Sequence, residues 1–207
     1  MKPAGPDPLT DKASPAGLWN LANILTMVRL LLVPVFGVLL AHDGGDSTLW
    51  RSLAAAVFVV ANITDTLDGK VARSRNLVTD FGKIADPIAD KALMGTALVI
   101  LSVLGELPWW VTVVILTREL GITLLRFWVL KYGVIAASQG GKLKTFLQGF
   151  AILFYLLPIS AAWWGHLRWW TMLAALVVTV VTGFDYVGRA VKLRLAAAKS
   201  GRAGGAA

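Results

Sequence analysis

Four aspartates dominate the chemistry this sequence could perform. They lie in Asp65-Thr-Leu-Asp68-Gly69-Lys-Val-Ala72-Arg73, and then in Gly82-Lys-Ile-Ala-Asp86-Pro-Ile-Ala-Asp90. Spacings of three and four residues place side chains on one face of a helix. Asp65 and Asp68 would be roughly 60° apart around a helix axis, and Asp86 and Asp90 roughly 40°. Two such helices facing each other would aim four carboxylates at one point, and four uncompensated anions that close repel strongly. A positive charge is required between them. All-oxygen ligation suits a hard divalent cation, Mg²⁺ or Mn²⁺.

The small residues around the acids fit this reading. Gly69 and Gly82 remove side chains, so that a ligand or a second helix can approach the backbone closely. Ala72 keeps the next turn open, and Arg73 could reach a phosphate. Asp80 has no partner at helical spacing and reads as a turn residue. The plain alternative is a pair of solvated helix ends with scattered acids. Apolar runs flank both halves, however, so the acids sit at or just inside a membrane boundary, where ionisable groups are costly and functional.

The pattern D-x2-D-G-x2-A-R-x8-G-x3-D-x3-D is complete here and resembles the signature of the CDP-alcohol phosphotransferase family of membrane enzymes. The resemblance implies a dimeric six-helix membrane fold with two metal ions per active site. It also implies transfer of a phosphatidyl-type group from a CDP-linked lipid to an alcohol, with release of CMP. Asp65, Asp68, Asp86 and Asp90 would then be the metal ligands and Asp90 the candidate base. Asp68, Gly69, Arg73 and Thr79, with Asn23 and Thr26, would hold the cytidine diphosphate of CDP-diacylglycerol.

The elements that must position these residues follow from hydropathy. The chain has 207 residues, no Cys and nine Trp, and is 57% hydrophobic; its mean hydropathy is +0.68. This describes an all-α integral membrane protein with no disulfide framework and no thiolate site. The +8 net charge then points to anionic headgroups and phosphorylated substrates, not to nucleic acid. The first 15 residues contain Pro3, Pro6, Asp7, Pro8 and Asp11 and no apolar core, unlike a cleaved secretory signal.

Residues 1–14 read as a disordered or surface segment, 15–195 as the membrane domain and 196–207 as a disordered tail. Ser14 and Pro15 can open a short interfacial helix. Six spans follow, at about 20–41, 49–75, 81–104, 108–131, 143–164 and 168–190. The second and third have apolar stretches too short to cross a bilayer alone, which takes about 20 residues, but are long enough as whole segments. Their acidic ends therefore lie near the cytoplasmic interface. Arg29, in the first span with Asn23 and Thr26, must either snorkel to that interface or face the acids. With both termini inside, only Arg51 and Arg168 of the 20 Lys and Arg fall on the outer side, a strong positive-inside asymmetry. Trp163-Trp164 and Trp169-Trp170 fit an interfacial belt.

A second group is basic. Arg118 and Arg126 lie eight residues apart on one span, and Lys142 and Lys144 open the next. Together they could hold a phosphate, with Arg giving bidentate contacts; the plain alternative is positive-inside charge plus an internal Arg118–Glu119 pair. The runs Thr117-Arg118-Glu119, Thr123-Leu-Leu-Arg126, Ser138, Gly141-Lys142-Leu-Lys144-Thr145 and Gln148 are similar to those of bacterial phosphatidylglycerophosphate synthases. In that branch the acceptor is sn-glycerol 3-phosphate, and Arg118, Arg126, Lys142 and Lys144 would bind its phosphate. The branch also implies a bacterial inner membrane, with the active site facing the cytoplasm.

Inositol phosphate, serine, or phosphatidylglycerol as in a cardiolipin synthase are the acceptor alternatives within the family. A cation transporter that uses the acids as an ion site is the alternative outside it, but the outer halves carry no matching acids to complete a path.

Overall fold

The structure is a computed structural model. It describes the backbone of residues 21–74, 80–129 and 139–204, and the side chains of 23–64, 88–129 and 140–195. The described residues form six helices: α1 (Leu21–Ala41), α2 (Thr48–Ser74), α3 (Asp80–Val103), α4 (Trp109–Val129), α5 (Gln139–Leu156) and α6 (Ala162–Gly204). The interfacial helix expected after Ser14 lies outside them.

The breaks between helices have local causes. After α1 a single 3-10 turn, His42–Gly45, reverses the chain, with Asp43, Gly44 and Gly45 at positive φ. Gly45 is also packed tightly: a Cβ there would lie 2.7 Å from the Leu104 side chain. Gly105, at φ +75°, turns the chain from α3 into α4, as expected of the Gly105–Pro108 turn. Pro34 sits within α1 without ending it.

The last two spans differ from expectation. α5 runs Gln139–Leu156 and stops before Pro158, whereas 143–164 was expected; a proline lacks the N–H that a continued helix requires. α6 begins at Ala162 and holds 43 residues, about 64 Å of helix. It exceeds the expected 168–190 at both ends and keeps helical backbone through most of the stretch read as a disordered tail. Trp163 and Trp164 therefore open α6. Trp163 faces outward, but Trp164 is buried and its Nε1 donates to the Phe154 carbonyl at 3.1 Å, tying the start of α6 to the end of α5.

α1 packs on α2 and α3, α5 on α6, and α4 on α6. Large apolar residues fill the centre, including Phe36, Leu40, Phe58, Leu98, Ile115, Ile152 and Met172. Buried hydroxyls join α3 to α4: Ser102 and Thr112 are 2.7 Å apart, and Thr112 donates to the Leu98 carbonyl at 3.2 Å. The outside is apolar too. Leu31, Val38, Leu124, Phe127 and Phe184 are each more than two-thirds exposed, a surface matched to lipid. α1 and α6 are long and apolar enough to cross a membrane.

At one end of the bundle, α2, α5, α6 and two turns are tied together around a single carboxylate. Arg51 Nη2 lies 2.6 Å from Glu106 and donates at 2.7 Å to the Tyr155 carbonyl, while its Nη1 donates to the Gly45 carbonyl at 3.0 Å. Arg168 Nη1 reaches Glu106 at 2.8 Å, and its guanidinium lies over the Tyr155 ring. The two basic residues read as outer-side exceptions are thus the partners of the acid in the Gly105–Pro108 turn. Glu106→Gln should leave two part-buried guanidiniums with weakened compensation and cost about 2 kcal/mol. The expected reading is a melting temperature in detergent several degrees lower, with substrate KM values unchanged.

Candidate active site

α2 is continuous through Asp65 and Asp68, and α3 through Asp86 and Asp90. The backbone therefore keeps each acid pair at helical spacing, and the two helices touch. The side chains of Asp65, Asp68, Gly69, Arg73 and Asp86, and all of Thr79, lie outside the described residues. Asp90 is described and lines a cavity of about 1090 Å³. A set of carboxylates alone, on two touching helices, is donor chemistry that fits a hard divalent metal.

The same cavity gathers the basic group. Arg118, Arg126, Lys142 and Lys144 all line it, together with Lys91 and Glu119. Much of the rest is apolar, from Phe58, Val59 and Ile63 on α2, with Asn62 among them, and Phe146, Phe150 and Leu153 on α5. Asn23 and Thr26, each 1% exposed, are buried on α1 and do not line it. Arg29 is buried on the same helix face; the helices that α1 packs against are those carrying the acids.

The four cations separate into two kinds. Arg126 and Lys142 are exposed at the cavity, and among the described residues neither has an ion-pair partner. Arg118 and Lys144 are held inside. Arg118 Nε donates to the Thr179 carbonyl at 2.9 Å, Nη2 to Thr182 Oγ1 at 3.0 Å and Nη1 to Glu119 Oε1 at 3.1 Å. Gly183 makes this possible: a Cβ there would lie 3.2 Å from both Arg118 Cγ and Nε. Lys144 pairs with Glu119 Oε1, and Lys91 Nζ approaches the Glu119 carbonyl at 3.3 Å and Oε2 at 3.5 Å. The internal Arg118–Glu119 pair weighed from sequence is present, but Glu119 also collects two lysines.

Lys91 and Gln148 are additions to the expected site, Gln148 having entered the sequence reading only as part of the runs similar to the synthases. A charged residue directly after Asp90, inside an apolar run, was the available signal for Lys91. Gln148 is 2% exposed, and its Oε1 has no hydrogen-bond partner among the described residues. It lines a second cavity of about 100 Å³ shared with Asp90, Lys91, Glu119 and Lys144, polar and roomy enough for ordered water. Arg194 lies over the Trp128 ring at 4.9 Å, further joining α6 to α4 beyond the site.

A sequence model of the family described as CDP-alcohol phosphatidyltransferase matches residues 19–181. The chain belongs to that family. It is similar to a Mycobacterium tuberculosis protein named probable phosphatidylglycerophosphate synthase, with 53% identity over 181 residues, 87% of this chain and 86% of the relative. It is also similar to the CDP-diacylglycerol–glycerol-3-phosphate 3-phosphatidyltransferase of Bacillus subtilis, 36% identical over 83% of this chain and 95% of that one. The Escherichia coli protein of the same name is 36% identical over 145 residues, 67% of this chain and 77% of the relative.

As a CDP-alcohol phosphatidyltransferase, this chain must bring a lipid-borne diphosphate and a polar acceptor to one place. A cavity with one charged wall and much of the rest apolar suits both. Arg118→Lys should loosen that wall, since an ammonium cannot reach Thr179, Thr182 and Glu119 together. A stability loss of about 1–2 kcal/mol is expected, read as a lowered melting temperature in detergent.

Proposed function

We propose that the protein transfers the phosphatidyl group of CDP-diacylglycerol to sn-glycerol 3-phosphate, giving phosphatidylglycerophosphate and CMP. The observation that carries this reading is the shared cavity: Asp90 opens onto the same space as Arg118, Arg126, Lys142 and Lys144. The names of the Mycobacterium and Bacillus relatives support the same acceptor. An uncharged acceptor would not need so many cations beside it.

Two divalent cations, Mg²⁺ or Mn²⁺, held among Asp65, Asp68, Asp86 and Asp90 would neutralise charge on the diphosphate and on the departing CMP. Asp90 takes the proton from the primary hydroxyl of glycerol 3-phosphate. The hydroxyl oxygen then forms a bond to the β-phosphorus, and the bond to the CMP oxygen breaks. The role of Asp90 rests on its position, because a metal-bound carboxylate is a weak base. Arg126 and Lys142 grip the acceptor phosphate from the exposed side of the cavity, while Arg118 and Lys144 form its fixed wall. Asp68, Gly69, Arg73 and Thr79 hold the cytidine diphosphate. Asn23 and Thr26, buried on α1 where it packs against the helices that carry the acids, join them in holding it. The diacyl chains leave toward lipid past the apolar walls.

The six helices then all span a bacterial inner membrane, in a homodimer, with both termini and the cavity on the cytoplasmic side. This arrangement puts Arg51, Glu106 and Arg168 at the outer face and the basic cavity inside, as the positive-inside rule requires.

CMP release by purified protein tests the reaction, with glycerol 3-phosphate and myo-inositol 1-phosphate offered separately. CMP only with glycerol 3-phosphate is expected; CMP only with the inositol phosphate would overturn the acceptor. Asp90→Asn should lower turnover by orders of magnitude, and near-normal activity would remove it as the base. Asp185→Asn, which disturbs only an exposed pair with Arg189 at 2.8 Å, should change little. Chelation should abolish CMP release and added Mg²⁺ restore it. Arg126→Ala should raise the KM for glycerol 3-phosphate about tenfold, as loss of one charge-assisted contact predicts.

A further inference from the structure

We propose that Glu119 is the positioning residue of the acceptor site: it holds Lys144 and Arg118 in place and, through Lys91, couples them to the helix that carries Asp90. This rests on the acceptor reading above. Glu119 lies on α4 with a side chain only 16% exposed, and its three cationic partners come from α3, α4 and α5. Arg118 extends the connection to α6 through Thr179 and Thr182. One carboxylate therefore joins four helices, and each is a wall of the cavity.

The charge balance explains why an acid belongs in a phosphate site. The described lining residues include five cations (Lys91, Arg118, Arg126, Lys142 and Lys144) against two carboxylates, Asp90 and Glu119. Without Glu119, Lys91, Arg118 and Lys144 would be mutually repelling charges in a poorly solvated space. They would move apart, and the wall would no longer present a fixed pattern to the substrate. With Glu119 present they stay together, and the positive charge that remains suits a phosphate monoester dianion. Lys91 adjoins Asp90 in sequence, so its tie to Glu119 also sets the distance between the gripped phosphate and the base. Glu119 touches no reacting atom; it acts through the groups it holds.

The test compares Glu119→Gln with wild type by steady-state CMP release, varying each substrate in turn. The expected result is a tenfold or larger rise in the KM for glycerol 3-phosphate, with the KM for CDP-diacylglycerol changed less than twofold. Glu119→Asp keeps the anion on a shorter stem and should recover part of the lost acceptor affinity. Equal rises in both KM values, a lower acceptor KM, or an aspartate variant no better than Glu119→Gln would each overturn the proposal. If Glu119→Gln does not survive extraction, Glu119→Asp is read against wild type. The proposal then requires a higher acceptor KM with the KM for CDP-diacylglycerol little changed, and equal rises or no change overturn it. A wild-type protein that releases no CMP with glycerol 3-phosphate would refute the acceptor reading itself, whereas an active wild type with symmetric effects refutes only the role of Glu119.

Discussion

A carboxylate among apolar helices cannot keep its charge unless cations are brought to it, because hydrocarbon offers nothing else to solvate it. Glu119 meets that condition with Arg118, Lys91 and Lys144. Meeting it dictates much of the rest. Lys144 reaches it from the first turns of α5 and Lys91 from the middle of α3, so both helices are tied to α4 through this group. The Arg118 guanidinium, drawn toward Glu119 by one nitrogen, has its other two nitrogens satisfied by α6. The cavity is the space left between helices held by this one group.

The opposite end of the bundle repeats the device with different chemistry. Glu106 lies between Arg51 and Arg168, and the Tyr155 and Gly45 carbonyls each accept a further Arg51 donor. There the anion joins helix ends and a loop where no large cavity is described. The two clusters differ in what surrounds them. Around Glu106 the partners close on one another. Around Glu119 the charges border an open volume, and Arg126 and Lys142 face into it. One cluster closes the bundle and the other leaves room for a ligand.

Much of this was readable in the sequence, for physical reasons. Asp65, Asp68, Asp86 and Asp90 stand out in the sequence because acids at helical spacing in an apolar chain are costly; the structure keeps both pairs on continuous helices and brings Asp90 to the cavity. The first four helices follow from runs of apolar residues bounded by His42–Ser47 and Gly105–Pro108. The boundary between α5 and α6 was misjudged because Trp163 and Trp164 suggest the end of a span, while Pro158 had already ended it; Trp164 is a core residue sealed by the Phe154 carbonyl. The basic residues were correctly grouped but not correctly distinguished. Pattern alone does not reveal that Arg118 is satisfied by a backbone carbonyl 61 residues away, nor that Lys144 faces an acid on another helix. Those facts belong to tertiary packing, and Lys91 and Gln148 entered the site the same way.

The slot at Gly183 binds two positions into a single evolutionary unit. An alanine there would press within 3.2 Å of the Arg118 stem, so the glycine is free to vary only if residue 118 becomes thinner or shifts. A thinner residue at 118 gives up the Thr179 and Thr182 contacts, leaving a gap that a larger residue at 183 could fill. An alanine at 183 asks the Arg118 stem to give by a few tenths of an ångström, and that shift strains the Thr179 and Thr182 contacts. Descendants of this sequence should therefore substitute the two sites jointly or leave both untouched, and 183 should drift at the pace of an active-site residue although it carries no functional group.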